Sequence, residues 1–336
     1  MGRIIEILIL LLGFSIISFS QNMSFENQMR LAKSYEQTQN YDDAEKIYRD
    51  LLIQNPQAYN VYKGLLSVLL KTKKYDDAIT LINDQILKNR QNIDLYGDLG
   101  SVYYIKGEEK KAFESWDDGI NIKPENPFSY RIIANFLIEN RLIEKAIEFL
   151  QKGNSKSDDD PTIFSYDVAN LYSLTMKFKE AAEEYCKIIK AKPKQINLVK
   201  NRILGYINSA NAEKPTLEVV ENFYENEKNV EYLKMLVDLY LRTNNFEKGL
   251  EAAKKVEEKT SKNGSYIFHF AQKISILGEH LISANAYKVV IDEFPNSALL
   301  SQAEIGYPRE IEYHLKKKFS KTEYWKKYGN PTYDKS

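Results

Sequence analysis

Cysteine is almost absent: Cys186 stands alone in 336 residues. A single thiol excludes an intrachain disulfide framework and any cysteine-cluster metal site. Histidine is nearly as scarce. His269, His280 and His314 lie far apart, and none forms an HxxxH pair, so the helical zinc motif is missing. Glycine (14) and proline (9) are few, which argues against a chain of tight hairpins and for long helices. A surplus of either charge is also missing. The 47 Lys and Arg balance 47 Asp and Glu, which removes any general pull towards nucleic acid or anionic membrane. No G-x-S-x-G elbow, phosphate loop or dinucleotide fingerprint occurs. These gaps lead us to expect no catalysis, no cofactor and no metal.

What the chain does contain suits a folded protein. It is 28% charged and 43% hydrophobic, too apolar for a disordered chain and too polar for a membrane-filled one. The length fits one extended array or two compact domains of about 150 residues each.

The first residues read MGRIIEILILLLGFSIISFSQ. Arg3 precedes an apolar run from Ile7 to Phe19. Ser18 and Ser20 take the small-residue positions of a cleavage site, with Gln21 as the mature start. This is the pattern of a signal peptide over residues 1–20, although Glu6 is atypical. The run falls short of the ~20 apolar residues of a spanning helix. Without a cysteine near residue 20, a lipid-anchored terminus is excluded. The expectation is an exported chain, periplasmic or secreted, with retention of this segment as an anchor the alternative.

The sequence repeats itself. YDDA at residues 41–44 returns at 75–78, 34 residues on. Ala44, Ala78, Ala112 and Ala146 keep that spacing, Ala181 follows at 35, and Gly249 and Ser283 continue the register. Twelve residues before each lies a second small slot, held by Ala32, Gly100, Ala134, Ala169 and Ala271, with Leu66 and Val237 as exceptions. Three residues after it come Tyr35, Leu69, Tyr103, Leu137, Tyr172 and Tyr240. Pro56, Pro124, Pro193 and Pro295 close units. Small residues at fixed intervals let two helices cross closely. In the third unit the helices are expected over Ile93–Lys106 and Glu108–Ile122. One hairpin cannot cover its own apolar stripe, so neighbours must stack.

The units fall near 25–58, 59–92, 93–126, 127–161, 162–195, 196–229, 230–263 and 264–297. The sixth is degenerate, with Pro215 in the alanine slot and Ile203 in the small slot, but its length predicts a helix pair. Asp42, Asp43, Asp76 and Asp77 sit in first turns, where carboxylates complement exposed N–H groups. They read as structural groups rather than a catalytic pair. Tyr41, Tyr75, Phe178 and Phe246 occupy the corner between helix and turn. Asp158–Asp160 lack calcium-loop spacing. Asp160 is expected as an N-cap with Pro161 as the first helical residue.

Residues 298–336 depart from the register. SALLSQAEIGY opens like a ninth first helix, and Pro308 is expected to stop it. A new helix over 309–319, with Ile311, Leu315 and Phe319 on one face, would then cap the array, followed by a mobile tail. From Arg309 onward eight basic residues face four acidic ones, and Tyr324, Trp325 and Tyr328 are interleaved. Such a segment can meet a nucleic acid or an anionic surface. A solvated tail is the plainer reading, and nucleic acid suits an exported chain poorly.

This spacing of small residues, tyrosines and prolines over about residues 25–297 resembles the tetratricopeptide repeat family. The resemblance implies an all-α, right-handed α-solenoid of about eight helix pairs with a C-terminal capping helix. It implies a non-enzymatic scaffold or adaptor, with a protein or peptide partner in a concave groove lined by first helices. In the middle of the array it assigns to that groove Gly97, Ser101 and Tyr104, then Phe128, Arg131, Asn135 and Ile138, then Ile163, Tyr166, Asn170 and Ser173. Of these, Tyr104, Arg131, Asn135, Tyr166 and Asn170 form the candidate partner-binding patch, since Arg and Tyr anchor interfaces and Asn grips a peptide backbone. The chaperone-binding subclass holds a partner's C-terminal carboxylate. Asp167 stands where that clamp needs Asn, so that specificity is not expected. The eighth unit, SANAYKVVIDEFPNS, is similar to repeats of bacterial envelope proteins, which agrees with export. A membrane-anchored assembly or secretion-complex factor, or the regulatory repeats of a larger enzyme, are the alternatives.

Overall fold

The structure, a computed structural model, describes residues 24–321. The expected leader, and all of the tail beyond Lys321, lie outside the described residues. Within them the chain forms 17 α-helices and no strand. No described helix is long and apolar enough to cross a membrane. The described helices divide into two compact units, with the boundary between residues 149 and 150.

The first unit holds α1 (Phe25–Gln37), α2 (Tyr41–Gln54), α3 (Tyr59–Lys71), α4 (Tyr75–Lys88), α5 (Ile93–Lys106), α6 (Glu109–Asn121), α7 (Pro127–Glu139) and the first half of α8 (Ile143–Ser155). Three of the four first helices start with side-chain caps, the exception being α3 after Ala58. The Ser24 hydroxyl accepts from Asn27 N at 3.3 Å, Asn92 from Asp94 N at 3.1 Å, and Asn126 from Phe128 N at 3.0 Å. Each satisfies an amide that the helix cannot. Pro127 adds a first position whose missing N–H costs nothing.

Every first helix in this unit ends the same way. Gln39, Lys73, Gly107 and Arg141 have φ of +61°, +58°, +89° and +62°. The next amide then turns back to the helix. Asn40 N donates to Tyr35 O at 2.9 Å, Lys74 N to Leu69 O at 2.8 Å, Glu108 N to Tyr103 O at 2.9 Å, and Leu142 N to Leu137 O at 2.8 Å. This left-handed cap reverses the chain in two residues. Only one of the four is glycine, which is how so glycine-poor a chain makes so many turns.

The reversal brings the small slots together. Ala44, Ala78, Ala112 and Ala146 have no exposed surface. Trp116 lies over Gly100, where an added Cβ would sit 2.3 Å from its Nε1, and that nitrogen donates to Gly97 O at 3.2 Å. The paired aspartates serve packing: Asn40 donates to Asp43 at 2.7 Å, and Lys106 meets Asp76 at 2.8 Å.

The second unit holds the rest of α8, α9 (Ser165–Leu174), α10 (Phe178–Ala191), a short 3-10 turn (Pro193–Gln195), α11 (Ile196–Tyr206), α12 (Glu213–Glu227), α13 (Val230–Arg242), α14 (Phe246–Thr260), α15 (Ser265–Ile276), α16 (His280–Glu293) and α17 (Leu300–Lys321). Met176, Asn244 and Gly278 carry the same positive φ. Ala181 is fully buried, and Gly249 packs against Phe270.

Three expectations need correction here. Asp160 does not cap α9. Its carboxylate accepts from Thr162 N at 3.1 Å and Thr162 Oγ1 at 2.8 Å, closing a turn, and the helix starts at Ser165. The reason is Phe164, which is fully buried and whose amide is held by Asn154 Oδ1 at 2.7 Å. Second, Pro308 does not stop the last helix: α17 runs unbroken through it. Pro308 and Glu304 face solvent, where the carbonyl that proline leaves without a helical partner is open to water and so costs little. Meanwhile Ala303, Gly306 and Glu310 are buried beneath. Third, the stripe expected in a separate capping helix belongs to α17 itself: Ile311 is half-buried and Leu315 is 43% exposed, while the side chain of Phe319 lies outside the described residues. The degenerate sixth unit is a helix pair, α11 and α12. Pro215 falls in the first turn of α12, where it is tolerated, and buried Thr216 packs beside it.

Candidate functional site

First helices of adjacent repeats face one another across a ladder of polar contacts. In the first unit, Glu36 of α1 accepts from Ser67 at 2.7 Å and Lys71 at 2.9 Å of α3, and from Tyr48 of α2 at 3.1 Å. Asp98 of α5 accepts from Tyr62 at 2.8 Å and Lys63 at 2.8 Å of α3. Asn140, just after α7, donates to Ser101 of α5 at 2.8 Å.

The two carboxylates behave differently. Burial acts most strongly on both, but Glu36 also receives hydrogen bonds from Lys71, Ser67 and Tyr48. Together these hold it below its usual range. Asp98 is more deeply enclosed, and burial pushes its carboxyl up despite Lys63 and Tyr62. On Lys63 burial acts downward, but the charge and hydrogen bond of Asp98 outweigh it and raise the pKa.

This ladder frames a groove of about 410 Å³ on α3, α5 and α7. Leu66, Leu70, Ile105 and Phe136 give it an apolar floor. Lys63, Lys71, Asp98, Ser101, Glu139 and Asn140 form its polar wall. Phe136 comes this close because Gly97 lies under it, where a Cβ would be 2.1 Å from the ring. Gly97 is therefore a buried floor for Phe136 rather than a groove contact.

The sequence candidates of this unit sit beside the groove. Tyr104 is half-buried, with its ring 6.1 Å from Trp116. Arg131 and Asn135 are exposed on α7. None of the three lines the groove. In the second unit, Tyr166 donates to Gln195 at 2.8 Å, and Asn170 accepts from Tyr185 at 2.8 Å. The Tyr166 and Tyr185 rings are 6.2 Å apart, and burial pushes the Tyr185 hydroxyl up to about 12. Both candidates there hold internal partners.

The second unit carries its own ladder. Asp238 of α13 pairs with Lys200 of α11 at 2.7 Å and Lys273 of α15 at 3.4 Å. Glu310 of α17 has no exposed surface and accepts from Ser275 at 2.8 Å, with His280 Nδ1 also at 2.8 Å. Cys186 is fully enclosed, and burial pushes its thiol up, which disfavours the reactive thiolate. Among the described residues no group of three or more His, Cys, Asp or Glu is placed to hold a metal ion.

Sequence reasoning missed Glu36, Asp98 and Phe136. A signal existed: Glu36 with Lys71, and Lys63 with Asp98, are each a charge pair 35 residues apart, one repeat plus one residue.

The family model for the tetratricopeptide repeat matches residues 29–92. No curated protein matches the sequence. Among solved structures, MamA is 24% identical over 43% of this chain and 84% of its own, at a TM-score of 0.31. TTC0263, a thermophilic repeat protein of Thermus thermophilus, is 19% identical over 53% and 96%, at 0.32. The C-terminal part of a repeat-containing protein from Cytophaga hutchinsonii is 16% identical over 82% and 98%, at 0.36.

Proposed function

As a member of the tetratricopeptide repeat family, whose members are in general protein-interaction scaffolds, the chain acts, we propose, by holding a partner peptide in the groove of its first unit. One observation carries this reading. The floor of Leu66, Leu70, Ile105 and Phe136 is apolar, while Lys63, Lys71 and Asp98 around it already have partners. A ligand there gains by burying an apolar side chain and by bonding its backbone to Ser101, Asn140 and Glu139. A free carboxylate gains less, because Lys63 and Lys71 are neutralised by Asp98 and Glu36. The occupant is an extended, largely uncharged segment with one large apolar residue.

We place this scaffold outside the cytoplasm, in the cell envelope. Support comes from the leader pattern of residues 1–20 and from the envelope-like eighth repeat. The mass of the N-terminus in the native cell tests it: a chain starting at Gln21 supports export with cleavage, and an intact start supports an anchored protein.

A photo-crosslinker at Ile105 tests the groove. Ile105 is 50% exposed at its edge, and Leu87, 66% exposed on second helix α4, serves as control. A peptide captured at 105 and not at 87, and lost in Ile105→Glu, supports the assignment. Equal capture at both positions rejects it.

A further inference from the structure

The hairpin register leaves one helix without a cover. Seven residues after the small slot of a first helix comes its left-handed turn residue: Gln39 after Ala32, Gly107 after Gly100, Met176 after Ala169 and Gly278 after Ala271. The second helix that follows crosses back over the slot. Trp116 of α6 lies over Gly100, and Ser283 Oγ of α16 donates to Ala271 O at 2.8 Å. Ile305 of α17 follows Ala271 by 34 residues and so takes the same slot. Its turn residue would be Glu312, but Glu312 lies inside α17, which runs on to Lys321. The chain does not reverse there, and no described second helix follows.

Exposure records the consequence. In this slot Ala32, Ala134, Ala169 and Ala271 are fully buried, and the bulkier Ile203 and Val237 keep only 0% and 2% of their surface. Ile305 keeps 68%. Ile203 shows that isoleucine itself fits a covered slot, so side-chain size is not what leaves Ile305 in water. Pro308, one turn further on, is exposed as well. A single exposed aliphatic residue is ordinary, but this one stands where the other first helices are crossed. Terminal repeats of stacked arrays stay soluble by turning a polar face outward, and Ile305 breaks that rule.

We propose that the slot of α17 is closed by α17 of a second copy of this chain, in a two-fold dimer. The slot elsewhere takes a helix antiparallel to its own, and a two-fold axis at Ile305 supplies one. The interface between copies then continues the hairpin interface within each. A helix of another protein fills only one slot, whereas a second copy has the same face uncovered, so both close at once. Charge allows it. Turning α17 end for end about Ile305 brings Arg309 of one copy to the level of Ser301 and Gln302 of the other, and Glu312 to that of Ala298. No like charges meet beside the axis, where such a meeting would oppose docking. With Ile305 against Ile305 the helices cross at the ordinary spacing of about 8–10 Å. The contact is independent of residues 1–20 and of the groove.

The test is analytical ultracentrifugation of the full chain over a range of concentrations. A monomer–dimer equilibrium is expected, closed at two copies. Ile305→Ser alters a residue exposed in the monomer, so the circular dichroism spectrum should not change. The dimer should weaken at least roughly tenfold, because each copy loses a buried aliphatic side chain. Ile305→Cys reads the geometry directly. The native thiol, Cys186, is fully buried, so mild oxidation should link two chains through position 305. Ile276→Cys is the control, at a site 85% exposed on the turn from α15 to α16, and should not link. A chain that stays monomeric at every concentration overturns the proposal. So does association that Ile305→Ser leaves unchanged, whether residues 1–20 or another face carries it, and so does a mass that grows beyond the dimer. Equal linking at 305 and 276 overturns it too. Ile105→Glu should leave the dimer intact, so slot and groove fail separately.

Discussion

Lys63 and Asp98 are 35 residues apart in the chain and 2.8 Å apart in space. The ammonium is partly solvated, whereas the carboxylate is 5% exposed. The pair therefore holds a buried charge in place more than it adds attraction. Lys63→Met should destabilise the first unit by about 1–3 kcal/mol at neutral pH, because it strands Asp98 without its cation. Burial already raises the Asp98 pKa, so the fold favours the protonated acid. The penalty is present when Asp98 is ionised and shrinks as pH falls through its raised pKa. Denaturant melts at pH 7 and at mildly acid pH should show the variant closing on the wild type. A penalty that grows on acidification would contradict this.

Glu36 has the opposite sign. Its folded pKa is held below the ordinary 4.5, so the ionised form is the one the fold prefers. Its contribution is complete above the unfolded pKa and is lost as pH falls through the lower folded value. Wild type should lose stability in that acid window, and Glu36→Gln should show a flatter profile there. Parallel thermal melts from neutral to acid pH read the difference directly.

The hairpin turns make a further test. Gly107 has φ +89° with open space around it, so Gly107→Ala adds no clash but forces a side chain into left-handed geometry. A loss of about 1–2 kcal/mol is expected. Met176 occupies the equivalent turn at φ +58° and is 73% exposed. Met176→Gly should therefore raise stability by up to about 1 kcal/mol, since strain is relieved with little burial lost. Equilibrium unfolding of both variants should show opposite signs.

Two helical glycines should likewise respond in opposite directions. A Cβ at Gly100 would meet the Trp116 ring at 2.3 Å, and a rigid indole cannot yield cheaply. Gly100→Ala should cost about 1–3 kcal/mol by overpacking. Gly205 has nothing within 4 Å and lies inside α11. Gly205→Ala should stabilise by about 0.5–1 kcal/mol through backbone entropy alone. Melting temperatures of the pair would settle the contrast.

The fold was largely legible because its repeat is written in small residues. Ala44, Ala78 and Ala112 recur at helix crossings that admit nothing larger, so period and hairpin follow from steric need. The turns were less visible. Gln39, Lys73, Arg141 and Met176 share a left-handed φ but no side-chain chemistry, so no residue type announces them. The C-terminal helix was misread at Pro308, because local rules count the lost hydrogen bond and cannot see that solvent replaces it. The candidate patch was legible only in part. Tyr166 and Asn170 look like free groove residues until Gln195 and Tyr185 are seen beside them.

Sequence alone determined what depends on spacing along a helix: the helix pairs, their 34-residue period, the small residues at their crossings and the absence of metal and cysteine chemistry motifs. Tertiary structure decided what depends on neighbours one repeat away. It chose which carboxylates are buried and paired, set Phe136 over Gly97 to floor the groove, and brought Lys317 of α17 to the carbonyl of Gly278. The reason is that helix periodicity acts over a few residues, whereas burial and charge pairing are set by distances that only the stacked repeats fix.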